Sequence, residues 1–402
     1  MNLWAFKIME NLTRNAKLYV SKRIAQDKTF LQKVETARKW AGGILFIASL
    51  FITALVGFIV LSPVYLLGFV LRLQCAQWIF DSLTGAWFTF AVTSYEVIYG
   101  TKIVIQGDVT NINKNRCSLI VMNHRTRLDW LFFFAVQARY GSLRRLKIVL
   151  KNEIRHIPGA GWAMQAAQFM FLKRKWAYDR DGIINALKYF QKIHLQPQLL
   201  LFPEGTDFQP FSRQRSREYA EKNDLDDYEY VLHPRTLGFT SMVSYMKQYN
   251  QLEQVVDVTV SYPETMLQNE TDLVTGNIPR VIVFTIKTYD LEELPTENDA
   301  LLARWIEERW REKENFLREF YKFKDYSYKN GYTYDQNLEI ERDTFVYLIG
   351  ALIFWLLLLI LTWYGFYSCP YLGWIFLWSV PLCIVLSTVA GFDTLFQKMS
   401  AV

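Results

Sequence analysis

From residue 344 to residue 392 the chain carries no charged side chain for 49 positions, and this run limits its possible folds more than any other feature. A bilayer core takes about 20 apolar residues per helix. The run is therefore long enough for two passes, over 345–366 and 371–390, with Tyr367-Ser-Cys-Pro370 as the turn between them. Trp355, Trp363, Tyr364, Tyr367, Tyr371, Trp374 and Trp378 cluster there, partly as an interfacial belt would. A second uncharged run spans 32 residues, 40–71, and reads either as one tilted span or as a helix broken at Ser62-Pro63 that re-enters. The apolar segment 83–99, interrupted only by Glu96, reads as a piece lying at the membrane face. Residues 1–39 hold nine Lys or Arg against three acids, which the positive-inside rule places in the cytosol. A single crossing after them puts the middle of the chain in the lumen; a re-entrant or double crossing returns it to the cytosol. A cleaved secretory leader is not expected, because the first apolar run begins at residue 40 and is too long for one.

The middle of the chain has a different pattern. Short apolar runs at 102–106, 117–122, 147–150, 169–172, 198–202, 255–261 and 281–288 read as strands. Helical patterns at 128–139, 162–168, 179–193, 236–249 and 296–321 fall between them. Such alternation predicts an α/β fold, a mixed sheet with helices on both faces, flanked by N-terminal and C-terminal membrane helices. The charged stretch 209–230 reads as an exposed insertion. The four cysteines, Cys75, Cys117, Cys369 and Cys383, form no disulfide or zinc pattern, so no metal site is expected. The net charge is a modest +6. No nucleic-acid partner is expected, and membrane lipids are.

Chemistry concentrates where strands end. Asn123-His124-Arg-Thr-Arg127-Leu-Asp129 follows the strand 117–122. A carboxylate one helical turn beyond a histidine can fix its tautomer and stabilise the imidazolium, which makes His124 and Asp129 a candidate general base and its orienter. Taken alone, this spacing more often marks a satisfied polar pair. A second strand end carries Phe202-Pro-Glu204-Gly205-Thr206, where glycine permits a tight turn and Glu204 offers an acceptor for a hydroxyl. Between the two motifs, residues 139–175 hold nine basic side chains and one acid, which suits anionic headgroups or a nucleotide's phosphates. Lys173 and Arg174, just after the strand 169–172, are the candidates within that set.

Asn123-His124 to Asp129, Pro158-Gly-Ala-Gly-Trp162, Phe171-Leu-Lys-Arg174, Phe202-Pro-Glu-Gly-Thr206 and Val258-Thr-Val-Ser-Tyr-Pro263 occur in one order over about 140 residues. That order resembles the motif blocks of the glycerolipid acyltransferases, the enzymes related to 1-acylglycerol-3-phosphate acyltransferase. Runs such as Ala220-Glu-Lys-Asn223 and Tyr228-Glu-Tyr-Val-Leu-His-Pro-Arg-Thr236 look most like the branch that holds lysocardiolipin acyltransferase. The resemblance implies that His124 deprotonates the free hydroxyl of a lysophospholipid, which attacks acyl-CoA with no acyl-enzyme. It implies that Asp129 orients His124, that Asn123, Arg127, Glu204, Gly205 and Thr206 serve substrate binding, and that Lys173 and Arg174 hold phosphate. Acyl-CoA is then a co-substrate and no cofactor is permanently bound.

One departure bears on the acceptor. Many members of the family have arginine after Glu-Gly-Thr, and here the position is Asp207. An acid there repels a phosphate monoester, which favours a diester acceptor such as lysophosphatidylinositol or lysocardiolipin. Arg213, Arg215 or Arg217 are the candidates to replace the missing cation. The alternatives are a lysophosphatidate acyltransferase making phosphatidate, or a non-catalytic lipid-binding relative. The expected organisation is a basic segment (1–39), a membrane anchor (40–99), a catalytic domain (100–325), a linker (326–343), a transmembrane hairpin (344–392) and a tail (393–402). The expected location is the endoplasmic reticulum membrane, with the site facing the cytosol.

Overall fold

A computed structural model describes the chain except residues 1–2, 72–74, 174–175, 268, 324–341 and 402. Arg174 and most of the expected linker, 326–341, therefore lie outside the described residues. The strands are β1 (Lys102–Gly107), β2 (Ser118–Met122), β3 (Leu146–Lys151), β4 (Met170–Leu172), β5 (Gln198–Leu201), β6 (Gln254–Ser261) and β7 (Val281–Asp290). Before the sheet come helices α1 (Leu3–Val70) and α2 (Cys75–Tyr99). Within it come α3 (Asp129–Arg139), α4 (Ala160–Ala166), α5 (Trp176–Lys192), α6 (Pro210–Lys222), α7 (Thr236–Gln248), α8 (Glu270–Val274) and α9 (Asp299–Phe323). After it come α10 (Arg342–Ser368), α11 (Pro370–Val389) and α12 (Phe392–Ala401).

The strands form one seven-stranded sheet in the order β1-β7-β6-β2-β5-β3-β4. β6, β2, β5, β3 and β4 run parallel, while β7 lies antiparallel to β6. Successive side chains on a strand face opposite ways, so a strand apolar at every position must be covered on both faces. Leu119 and Val121 of β2 and Leu199 and Leu201 of β5 pack with Leu187 of α5, Phe239 of α7 and Trp310 of α9. Ile120, Met122 and Leu200 pack the other way, with Phe132 and Phe134 of α3 and Phe88 of α2. The sheet is mixed and carries helices on both faces, as the alternating pattern predicts.

Two segments carry structure that the sequence reading did not give. The segment 83–99 is most of α2, and much of it packs in the core. Phe88 stacks on Phe134 at 4.2 Å and Tyr95 meets Phe132 edge-on at 5.5 Å. The neighbours of α2 bury most of it: α3 lies against one side and α1 and α10 against others, while Trp78 and Ile79 near its start stay exposed. A buried ion pair, Lys147 Nζ to Asp81 at 2.8 Å, ties α2 to β3. The stretch 209–230 begins with helix α6, started by Pro210 at its first position and by a reciprocal cap between Gln209 and Ser212. Its lack of an apolar stripe hides it from periodicity, since Ala220 is its one buried residue.

Among the described residues, three segments are long and apolar enough to cross a membrane: Phe30–Pro63, Val346–Ser368 and Pro370–Val389. α1 continues through Pro63 rather than breaking there. Proline removes the N–H that would bond the carbonyl four residues back, and Ser62 Oγ donates to that carbonyl, Ile59 O, at 3.4 Å. One stripe of α1 (Gly43, Phe46, Ala54, Phe58) is buried on the body, and the opposite stripe (Ile44, Leu45, Phe51, Ile52) is exposed. α11 leads back to the body through α12, where Asp393 pairs with Arg155 at 2.8 Å and Phe392 packs on Phe58 at 5.1 Å. Both ends of the α10–α11 hairpin are thus held on the body that carries the sheet.

Close contact with α1 depends on Gly159. Its φ is +73°, and a Cβ there would come within 2.6 Å of the Leu55 backbone. Gly159→Ala is expected to cost at least about 2 kcal/mol, from left-handed backbone strain and the displaced helix. Thermal unfolding in detergent checks this; an unchanged transition would show that α1 does not depend on the contact.

Candidate active site

β6, β2 and β5 are neighbours and parallel, so the loops after Ser261, Met122 and Leu201 open at one sheet edge. In open α/β sheets this edge is where ligands collect. Asn123 sews two of these ends together: its Nδ2 donates to Val260 O at 3.1 Å and its Oδ1 accepts from Val260 N–H at 2.8 Å. Expected as a substrate contact, Asn123 is fully buried and has both amide ends committed to β6.

His124 follows on the same turn. Its Nδ1 lies 3.0 Å from Asp129 Oδ2, and its ring stacks on Phe202 at 4.2 Å. Asp129, the first residue of α3, is wholly buried. The Thr126 N–H donates to Oδ2 at 2.9 Å, Thr126 Oγ1 to Oδ1 at 3.4 Å, and the Tyr262 hydroxyl to Oδ1 at 2.5 Å. Burial and the adjacent Asp129 charge hold the Tyr262 phenol well above its ordinary range, so it remains a donor. The arrangement leaves Nε2 of His124 with no hydrogen-bond partner among the described residues, on a side chain 16 % exposed.

Glu204 approaches from the β5 end. Its Oε1 accepts from the His124 backbone N–H at 3.2 Å and from the Trp310 indole at 3.1 Å. Burial pushes its carboxyl up to about 7, against the pull of His124 and of the Trp310 hydrogen bond. Gly205 turns the chain with φ +71°, and Thr206 Oγ1 donates to Asp207 at 3.3 Å.

The description "Acyltransferase" fits residues 103–263 and "Acyltransferase C-terminus" fits residues 272–355. The chain is 43% identical over 279 residues to lysocardiolipin acyltransferase 1 of Gallus gallus, covering 69% of this chain and 73% of that one. It is 37% identical over 350 residues to the Mus musculus protein of that name, covering 87% and 92%. Lysophosphatidylinositol acyltransferase 10 of Caenorhabditis elegans is 39% identical over 251 residues, covering 61% and 63%. The chain belongs to the glycerolipid acyltransferase family. It is an acyltransferase, and the His124 edge lies inside its matched region.

In this acyltransferase Asp207 is not an isolated acid. Arg127 Nε sits 3.2 Å from its Oδ2. Burial raises the Asp207 carboxyl, but hydrogen bonding to its own backbone, the His124 charge and Arg127 together hold it below the usual range. Arg127 offsets the Asp207 charge, so the acid by itself does not repel a monoester acceptor. Among the described residues, none of the three arginines proposed as replacement cations is held toward the site by a contact. Arg213 and Arg217 pair with Asp227, and Arg215 lies over the Phe211 ring.

Three of the nine basic residues in the stretch 139–175 are spent on ion pairs inside the acyltransferase. Arg139 pairs with Glu96, Lys147 with Asp81 and Arg155 with Asp393. Lys173 is exposed after β4, with its ammonium 5.9 Å from the Tyr178 ring. β4 is three strands from β2, roughly 14 Å along the edge. Sequence reasoning missed the task of Tyr262, of Trp310 and of Arg125, which donates to Tyr230 O and stacks on Phe208 at 4.5 Å. Tyr262 stood within a quoted motif, but no spacing rule joins it to a carboxylate in another loop.

Glu204 provides a test of the site's electrostatics. Its raised value means that stability is full below about 4.5 and is lost as pH rises through about 7. The loss is roughly 3 kcal/mol when ionisation is complete. Glu204→Gln is expected to remove this slope between pH 5 and 8 in thermal unfolding; identical slopes in the two proteins would contradict it.

Proposed function

We propose that this acyltransferase transfers an acyl group from acyl-CoA to the free glycerol hydroxyl of a lysophospholipid, with lysophosphatidylinositol or lysocardiolipin as acceptor. The reading rests on the His124 ring, fixed at Nδ1 by Asp129 with Nε2 left for a substrate proton. Nε2 accepts the hydroxyl proton as the oxygen bonds to the thioester carbonyl carbon. Asp129 stabilises the imidazolium. The carbon–sulfur bond then breaks, and the CoA thiolate takes the proton back from His124, so no acyl-enzyme forms. A base placed in this way contributes about 10²–10⁴ in rate.

Around that step, Glu204 holds the His124 backbone, and Gly205 and Thr206 shape the adjoining wall for the acceptor. Arg127 helps bind the acceptor from its pair with Asp207. Lys173, further along the edge, holds substrate phosphate, and the same task is proposed for Arg174 from its place in the sequence. Relatives named for lysocardiolipin and lysophosphatidylinositol support a diester acceptor. A second reading, lysophosphatidate as acceptor, draws on the same Arg127–Asp207 pair, which cancels the acid's charge.

An acceptor panel with one labelled acyl-CoA separates the two. Diester lysophospholipids are expected to be acylated well ahead of lysophosphatidate; the reverse order would favour the second reading. His124→Ala is expected to lose roughly 10³-fold or more in kcat/KM, and retained transfer would end its role as base. Because acyl-CoA is made in the cytosol, we place the enzyme in the endoplasmic reticulum membrane with this edge facing the cytosol. In sealed microsomes protease should then cut the region of the sheet, and full protection would place it in the lumen.

A further inference from the structure

The loop before α7 crosses the Glu204–Gly205 turn. The Arg235 N–H donates to Pro203 O at 2.8 Å, and the Arg235 side chain lies directly over Gly205. A Cβ at Gly205 would meet Arg235 Cδ and Nε at 3.1 Å. Glycine at this turn therefore serves two needs: it adopts a φ of +71°, and it lets a guanidinium close over the backbone.

The guanidinium belongs to an exposed residue with no acid within ion-pair distance among the described residues. The other arginines near the loop differ. Arg127 is paired with Asp207, and Arg125 is bonded to the Tyr230 carbonyl among the Phe208, Tyr230 and Tyr321 rings. Arg125 also has no acid partner among the described residues, but it is buried with its Nη1 given to the Tyr230 carbonyl, so the exposed guanidinium left free for a ligand next to the Glu204–His124 contact is that of Arg235. In a lysophospholipid the reacting hydroxyl and the phosphate are only a few bonds apart. A hydroxyl on His124 Nε2 carries its phosphate into the neighbourhood of this loop.

On the acyltransferase reading above, we propose that Arg235 binds the phosphodiester of the acyl acceptor and so sets acceptor affinity. A guanidinium offers two parallel N–H donors to a phosphate's two free oxygens, which a lysine cannot reproduce. Gly205 is part of this site because any side chain there would push the guanidinium aside.

The test uses full-length protein in detergent. KM is measured separately for lysophosphatidylinositol and for acyl-CoA, and equilibrium binding of lysophosphatidylinositol is measured without acyl-CoA. In Arg235→Gln the acceptor KM and Kd are expected to rise roughly tenfold to a hundredfold, a typical effect of losing a charge-assisted pair. The acyl-CoA KM and the unfolding temperature should stay the same, and Arg235→Lys should recover part of the loss. Unchanged acceptor KM and Kd would overturn the proposal. A rise in the acyl-CoA KM alone would overturn it too, assigning the cation to the phosphates of CoA. Wild-type protein that binds the acceptor through Arg235 but transfers no acyl group would leave the binding site standing and defeat the catalytic reading.

Discussion

The buried carboxylate of Asp129 is the interaction on which the rest of the site depends. It gathers the His124 ring, the Thr126 backbone and hydroxyl, and the Tyr262 hydroxyl, drawn from the loop after β2 and the end of β6. A buried charge is tolerable only when its lone pairs are filled, so these donors cannot drift without leaving it exposed to an apolar surrounding. Asn123 fixes the same two strand ends from below. The histidine is thereby oriented by the sheet rather than by its own loop, and the surroundings of its base nitrogen are set before substrate arrives.

The membrane helices and the sheet share one packing problem. α2 is a core helix of the catalytic body, and α1 and α10 close over it. Small residues let this happen: Gly57 faces the Trp355 ring, Gly43 faces the α8 carbonyls, and Gly159 meets α1 at Leu55. α12 then returns and is held by Arg155 and Gln165. Buried polar contacts at these junctions, such as Lys147 with Asp81, are costly unless well paired. That pair fixes the register of α2 on the sheet, and removing one partner would leave the other charge stranded.

All seven strands were legible as short apolar runs, β2 and β5 most plainly because they are covered on both faces and show no polar alternation. The His124 and Glu204 motifs were legible because each stands where such a run stops. α6 was not, because an exposed helix held by a cap and a proline has no apolar stripe to reveal it. The basic stretch 139–175 was legible only as composition, which does not say that Arg139, Lys147 and Arg155 already have partners.

The sequence by itself determined the strands, the helices that carry an apolar stripe, the membrane-length apolar runs, and the two strand-end motifs whose order marks the family. These are local properties, written in periodicity and in neighbouring residues. Only the tertiary structure decided that Tyr262 bonds Asp129, that Arg127 silences Asp207, and that Arg235 rather than Arg213, Arg215 or Arg217 lies over Gly205. Those pairings join residues far apart in the chain, and they exist because parallel strands bring their carboxyl ends to one edge.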